Sequence, residues 1–425
     1  MRTGRRGLWV AGAVCAAIGS WLVLGTQEAT VDSAPGCVQC HEQVTPGIVA
    51  DWKESVHANE GVTCETCHGT GHVSAADTDK AGVVTPATCA KCHDKQVEQF
   101  SHGKHAVAWA AMKAMPTAHF QPMAMTDGMK GCGGCHKIGP QTDQEIQELK
   151  KNGSGFGMAS CDACHTRHTF SKKEAQQPQA CQTCHMGFDH PQWEMYSSSK
   201  HGVRFLLKQS GVLPKGTVAP SCQTCHMPEG NHAVDTAWGF LAVRLPMPED
   251  KQWAADRATI LQGLGVLDPE GKPTGRLEVV KAANVAKLDQ ESWQKQRDRM
   301  INTCGQCHSK EFANEQMSKG DDMIRQADHL MAEAIRVVAA LYKDGILAKP
   351  EGYAFPFPDL LTFHDAPSTI ETRLFRMFLG HRMRAFQGTF HGNPDYAFWY
   401  GWSEMVQDLT YIKEKAEELR AAKGK

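Results

Sequence analysis

Sixteen of the 17 cysteines in this chain belong to eight copies of one motif, Cys-x-x-Cys-His. Two thiols at this spacing can bond to both vinyl groups of one haem, and the adjacent histidine can then bind the iron. Zinc ribbons do not require a histidine after each cysteine pair, and disulfide frameworks do not repeat this triplet. The sequence therefore predicts eight covalently attached haem c groups.

The residues predicted to hold these haems are Cys37, Cys40 and His41; Cys64, Cys67 and His68; Cys89, Cys92 and His93; Cys132, Cys135 and His136; Cys161, Cys164 and His165; Cys181, Cys184 and His185; Cys222, Cys225 and His226; and Cys304, Cys307 and His308.

Thirteen of the 21 histidines remain once each motif has supplied its iron ligand. A haem that only carries electrons usually has a second strong axial ligand, whereas a catalytic haem keeps one face open for substrate. The surplus is large enough for seven second ligands and one open haem. A methionine-rich run from Met112 to Met129 precedes the fourth motif, and we interpret it as packing around the cofactors rather than ligation.

The first 35 residues have the character of a targeting segment. Arg2, Arg5 and Arg6 precede an apolar run from Leu8 to Leu24. No clear cleavage site follows, so an uncleaved membrane anchor is favoured over a removed signal peptide. Both alternatives deliver the rest of the chain to the periplasmic side of the membrane.

The remaining chain is expected to be mainly α-helical, with two regions. Residues 36–310 contain all eight motifs and few long periodic segments, which is typical of short helices and loops around haems. Residues 311–425 contain amphipathic patterns at 312–343, 370–386 and 402–422, and these predict long helices for bracing and oligomerisation. The formal net charge of −2 gives no support for nucleic-acid binding.

Several segments outside the motifs resemble the octahaem hydroxylamine oxidoreductase family. They include the Thr-Arg-His168 that follows the fifth motif, the Gly187-Phe-Asp-His190 that follows the sixth, and Ser199-Lys-His201-Gly. Ser55-Val-His57 near the start and Asn393-Pro…Gly401-Trp near the end extend the likeness over nearly the whole secreted chain.

The resemblance implies roles for individual residues. The fourth haem, held by Cys132, Cys135 and His136, would be catalytic, with Asp189 and His190 over its open face. The second ligands of the other seven haems would be His57, His72, His102 or His105, His168, His201, His232 and His391. The resemblance also implies a homotrimer and a cytochrome or quinol-linked redox partner.

One departure from the family bears on the direction of the reaction. Hydroxylamine-oxidising members cross-link a C-terminal tyrosine to the catalytic haem of a neighbouring subunit. The corresponding position here is Phe398 or Trp399, depending on the register, with Tyr396 and Tyr400 on either side. The segment 137–160 is a second departure, since it is longer than expected.

The missing tyrosine favours reduction of nitrite or hydroxylamine to ammonium. Two alternatives stay open: oxidation of hydroxylamine or hydrazine with electrons passed to a cytochrome, and a non-catalytic electron conduit.

Overall fold

The computed structural model describes residues 35–114, 132–151, 160–239, 241–244, 247–282, 284–351, 353, 355–361 and 366–424. Within these ranges the secondary structure is helical, and strand-like pairing is limited to two isolated bridges. The mainly α prediction is therefore confirmed. No helix in these ranges is long and apolar enough to cross a membrane. The apolar N-terminal run and Met115 to Met129 lie outside the described residues.

The motif-bearing region consists mostly of short helices. The α-helices are Pro35–Val44, Pro46–Lys53, Val56–Asn59, Cys64–His68, Pro86–Ser101, Ala108–Ala114, Cys132–His136, Asp143–Lys151, Lys172–Ala175, Gln179–Gln182, Gln192–Ser198, Lys200–Gln209, Cys222–His226, Lys251–Gly263, Gly275–Ala282 and Gln290–Cys304. Single 3₁₀ turns are Thr78–Lys80, Lys104–Val107, Cys161–Ala163 and Pro228–Gly230.

Local sequence explains why several of these helices begin where they do. The Ser55 and Ser221 hydroxyls accept hydrogen bonds from backbone N–H groups three residues later, which satisfies donors that a helix start leaves open. Pro46 and Pro86 stand at the first helical position, where a missing N–H costs nothing. Such caps hold one-turn helices that would be too short to be stable alone.

The C-terminal region contains longer helices. The α-helices are Lys310–Lys343, Thr369–Phe375, Met383–Phe390, Pro394–Tyr396 and Ser403–Lys423, and Arg376–Arg382 and Ala397–Trp402 are π-helical. We refer to the first of these as the long helix and to the last two as the first and second π-helices. The predicted division at residue 310 coincides with the start of the long helix and stays a prediction.

The long helix forms the centre of the hydrophobic core. Ile324, Met331, Ile335 and Val338 are buried along it at spacings of three, four and seven, which puts them on one face. This face packs against the Lys251–Gly263 and Ser403–Lys423 helices. The core therefore lies largely beside the haem motifs rather than among them.

A buried charge cluster connects this core to the backbone of Leu241 and Ala242. The carboxylate of Asp328 accepts hydrogen bonds from Arg257 at 2.7 Å and from Arg382 at 2.6 Å. Arg382 also donates to the carbonyls of Leu241 and Ala242. Because all three charged side chains are fully buried, each must be paired to avoid a large desolvation cost.

Candidate haem sites and active site

All eight motif histidines lie opposite a second histidine. The distances between ring centres are 6.0 Å for His41–His72, 6.1 Å for His57–His93, 6.2 Å for His68–His168, 6.0 Å for His105–His185, 5.8 Å for His136–His190, 6.3 Å for His165–His232, 6.0 Å for His201–His308 and 6.2 Å for His226–His391.

These separations fit an iron atom between the two rings. A metal–imidazole bond of about 2.0 Å, with about 1.1 Å from nitrogen to ring centre, puts two opposed imidazoles about 6.2 Å apart. Direct packing contact between rings would not require the same separation eight times along a folded chain. The residues present therefore fit haem iron beside each motif histidine. At His136–His190 the separation alone does not distinguish a second iron ligand from a histidine that lies over an open face, since His190 is also 6.1 Å from His185.

Hydrogen bonds at Nδ1 orient several of the rings. His41 Nδ1 is 2.7 Å from Thr45 Oγ1, His72 Nδ1 is 3.0 Å from Asp77 Oδ1, and His391 Nδ1 is 2.7 Å from the carbonyl of Gln387. A partner at Nδ1 fixes the ring and leaves Nε2 available for the metal, as is usual for metal-binding histidines.

Burial keeps the central histidines in the neutral form that can bind a metal. It lowers the pKa of His136 to about 4, of His185 to about 3 and of His226 to about 4, with smaller contributions from nearby charged groups. Desolvation has this effect because it penalises the charged imidazolium.

The structure distinguishes His105 from His102, which the sequence left as alternatives. His105 faces His185 at 6.0 Å. His102 is exposed, and its Nδ1 lies 2.9 Å from the carbonyl of Glu98. Two further histidines outside the pairs contact carboxylates: His329 contacts Asp256, and His381 contacts Asp408. His119 and His364 lie outside the described residues.

Asp189 and His190 lie together over the fourth motif. Asp189 Oδ1 is 3.0 Å from His190 Nδ1, and the His190 ring is 5.8 Å from His136 and 6.1 Å from His185. Burial pushes the pKa of Asp189 upward, but the hydrogen bond and charge of His190 outweigh it and the pKa falls. The pair therefore lies beside the iron ligands of the fourth and sixth motifs.

The ring of Phe188 anchors the loop that carries this pair. It stacks on Phe375 at 6.2 Å and 30°, and the guanidinium of Arg384 lies 5.8 Å from its centre. A Cβ at Gly380, in the first π-helix, would stand only 2.8 Å from Phe188 Cε2. The Phe188 ring therefore lies directly on the backbone of Gly380. Single π-helical turns occur frequently at functional sites.

The thiols show which motifs are neighbours. The side chains of Cys89, in the third motif, and Cys161, in the fifth, lie next to each other. Cys181 makes the same kind of contact with Cys222. Weaker electrostatic contacts join Cys64 to Cys37, Cys67 to Cys89, Cys164 to Cys181 and Cys225 to Cys304. The order in space is thus motifs one, two, three, five, six, seven and eight, with motif four beside motif six through His190.

The segment that corresponds to the family's cross-linking tyrosine, with Phe398 or Trp399 at that position, forms the second π-helix. Phe398, Trp399 and Tyr400 are 40%, 60% and 59% exposed, which is unusual for three successive aromatic residues. The Phe398 ring stacks on Trp402, and the Tyr396 and Tyr400 rings are 4.9 Å apart.

Some positioning residues could not be found from the sequence. Gly380 shows no motif, and its role depends on a ring 192 positions earlier in the chain. Gln192, whose Oε1 lies 3.3 Å from His185 Nδ1, is equally unmarked. Phe188 lies within Gly187-Phe-Asp-His190, a segment that resembles the family, so the sequence did mark this residue as a candidate.

Comparisons with known proteins agree with this geometry. The profile of the family described as "Seven times multi-haem cytochrome CxxCH" matches residues 33–256 and 276–352. A curated relative, the probable nitrite reductase-hydroxylamine oxidoreductase fusion protein of Kuenenia stuttgartiensis, is 27% identical over 91% of this chain. The chain spans about half of that relative's length, 52%.

Solved structures show the same fold. The reducing HAO-like protein complex of Kuenenia stuttgartiensis has a TM-score of 0.68 and 26% identity, covering 91% of this chain and 85% of that chain. A hypothetical multiheme protein has a TM-score of 0.66 and 21% identity, with 92% and 96% covered. At that identity the second likeness concerns the fold alone.

Proposed function

Since the chain belongs to the multihaem CxxCH cytochrome family and is HAO-like, we propose that it reduces nitrite or hydroxylamine to ammonium. The proposal places eight haem c groups at the eight histidine pairs. The substrate site is the haem of Cys132 and Cys135, on the face opposite His136. The observation that carries the proposal is the Asp189–His190 pair over that face.

The bound haem would supply electrons to the substrate, and the protein must supply protons. Reduction of an N–O bond takes up protons together with electrons. With Asp189 at its Nδ1, the imidazole of His190 can pass a proton from Nε2 toward the His136 side. Asp189 holds the orientation of this imidazole.

An Asp partner alone does not make a histidine catalytic, since His72 has one as well. What favours a catalytic role for His190 is its place between the fourth and sixth motifs, together with the family resemblance. His136 and His185 both lie about 6 Å from it.

Electrons are proposed to reach this site through the sixth haem. The cysteines of motifs one, two, three, five, six, seven and eight neighbour one another in that order, which supports a continuous electron path with motifs one and eight at its ends. A cytochrome or a quinol-linked protein would donate at an outer haem.

The direction of reaction is inferred from the second π-helix. Neither Phe398 nor Trp399 can form a tyrosyl cross-link, and an uncross-linked haem can reach the ferrous state that reduction needs. The similar complex of Kuenenia stuttgartiensis is described as reducing. Oxidation of hydroxylamine or hydrazine would instead require Tyr396 or Tyr400 to form the cross-link.

We further propose a homotrimer on the periplasmic side of the membrane, anchored by the N-terminal segment. The exposed aromatic residues of the second π-helix form an apolar patch of the kind that marks protein contacts. The predicted regions 1–35, 36–310 and 311–425 would serve as anchor, haem domain and oligomerisation region.

Steady-state turnover tests the proposal. The holoprotein is assayed with nitrite and hydroxylamine, once with a low-potential donor and once with an oxidising acceptor. We expect turnover with the donor, and His190→Ala to slow it by about 10²–10⁴-fold, the usual worth of general acid–base catalysis. His329→Ala is the control, because His329 is exposed and outside the pairs. Turnover only with the acceptor would favour the oxidase.

A further inference from the structure

One side of the Gln290–Cys304 helix carries polar atoms that lack hydrogen-bond partners. Trp293 Nε1, Gln296 Oε1 and Arg299 Nη2 are buried, and no partner for them lies among the described residues. Their spacing of three puts them along the same side of the helix. Buried polar atoms in proteins are nearly always paired, so this side is suited to a polar ligand.

Arg244 extends the same surface from the neighbouring loop. Its guanidinium carbon lies 3.9 Å from the centre of the Trp293 ring and 5.2 Å from that of Trp238. Arg244 Nε and Nη1 are also buried, again with no hydrogen-bond partner in the described part of the chain. The guanidinium therefore lies close to both tryptophan rings, with two of its donors left unsatisfied.

The charge balance of this region calls for an anion. Arg257 and Arg382 share the single carboxylate of Asp328. Arg297 pairs with Asp321 at 2.6 Å, which leaves Arg244 without a carboxylate partner. Arg299 likewise has no carboxylate partner among the described residues. Its Nη1 donates a hydrogen bond to the carbonyl of Ala233.

Arg244 and Arg299 are only half-buried, but Arg244 Nε and Nη1 and Arg299 Nη2 are buried donors, and leaving such donors unsatisfied costs free energy. A ligand that presents two carboxylates would remove the imbalance. Haem c carries two propionate carboxylates on one edge.

The Arg299 end of this surface lies near the His226–His391 pair. Arg299 and Thr303 line a cavity of about 1100 Å³ together with Pro228 and Glu229, which follow directly after the His226 motif. On the other side, the guanidinium of Arg297 is 5.8 Å from the ring of Phe390, the residue before His391. The acidic side chains of the cavity are exposed to water.

We propose that Arg299 and Arg244 bind the propionate carboxylates of the haem held by Cys222 and Cys225. This goes beyond the proposed reaction and rests only on the ligand pair His226–His391. The guanidiniums also set the redox behaviour of this haem. A ferrous haem has one positive charge fewer than a ferric haem, so nearby cations favour the reduced state.

The test is a spectroelectrochemical titration of the holoprotein, which resolves the haems by midpoint potential. Arg299→Leu and Arg244→Leu should each lower the midpoint of the same single component. Coulomb's law over about 10 Å, at an effective dielectric constant of about 20, gives roughly tenfold in the ferric–ferrous equilibrium. Arg299→Lys keeps the positive charge, so its midpoint potential should lie close to that of the wild-type protein.

Two further variants identify the component and control for charge loss. His391→Ala should turn one low-spin haem high-spin, and the component that it changes must be the one that Arg299→Leu shifts. Arg325→Leu removes an exposed arginine paired with Asp322 and should shift nothing.

The outcomes separate the proposal from its premise. An unshifted titration in Arg299→Leu and Arg244→Leu, or a shift in a component that His391→Ala leaves intact, overturns the propionate assignment. If His391→Ala produces no high-spin haem, the ligand pair itself is wrong.

Discussion

Gly380→Ala should slow catalysis although the residue lies outside the haem motifs. The added Cβ would stand 2.8 Å from Phe188 Cε2 and 3.0 Å from Cζ. Carbon atoms prefer separations of about 3.5–4.0 Å, so the ring has to move by roughly 0.7 Å or more. Phe188 also stacks on Phe375, so a ring that stays in this stack must shift together with its backbone and with Asp189 and His190, which follow directly; a ring that rotates out toward solvent would leave them in place.

The expected cost follows from this displacement. A misplacement of about 1 Å at a catalytic group can slow a reaction by about 10²-fold. We therefore expect the donor-driven turnover of Gly380→Ala to fall by about one to two orders of magnitude. Overall stability should be little affected, since alanine in a helix is favoured over glycine by about 1 kcal/mol.

The assay combines turnover with an absorption spectrum of the low-spin haems, which should be unchanged. Phe188→Leu in the Gly380→Ala background removes the clashing ring edge and should recover part of the rate. Gly275→Ala is the control, because a Cβ there meets nothing within 4 Å. Full activity in Gly380→Ala, or an equally slow double variant, would refute the positioning role.

Three further predictions concern ligation, stability and assembly. His105→Ala should convert one low-spin haem to high-spin in the electron paramagnetic resonance spectrum, because His105 faces His185. His102→Ala should leave the spectrum unchanged because His102 is exposed, and a new high-spin signal in that variant would contradict the choice of His105. Asp328→Asn leaves the buried Arg257 and Arg382 without a carboxylate partner. The free energy of unfolding measured by urea titration should therefore fall by about 3–5 kcal/mol, and a fall of less than about 1 kcal/mol would contradict this. Trp399→Ser should weaken the trimer in light scattering, and a wild-type monomer at micromolar concentration would remove the basis for this expectation.

The mainly α class and the cofactor chemistry could be predicted because they depend on local sequence. A Cys-x-x-Cys-His motif carries its chemistry within one helical turn, and an amphipathic pattern such as that of the long helix is visible over 34 residues. The C-terminal helices and the loop-rich haem region were accordingly predicted near their observed positions.

The pairing of histidines could not be predicted in the same way, because it joins distant parts of the chain. His41 lies opposite His72, only 31 positions away, but His226 lies opposite His391. His102 and His105 differ by one helical turn, and their surroundings rather than their sequence separate them. The π-helices and the buried Asp328 cluster likewise depend on packing between remote segments.

The central claim is that one haem, held by Cys132 and Cys135 below His190, is open to substrate. Its most direct test is a titration of the reduced holoprotein with nitric oxide, with binding sites counted per chain against the haem content measured by mass. The account predicts eight haems and one binding site, which should be retained in His190→Ala. A protein in which no haem binds nitric oxide would be an electron conduit and would contradict it.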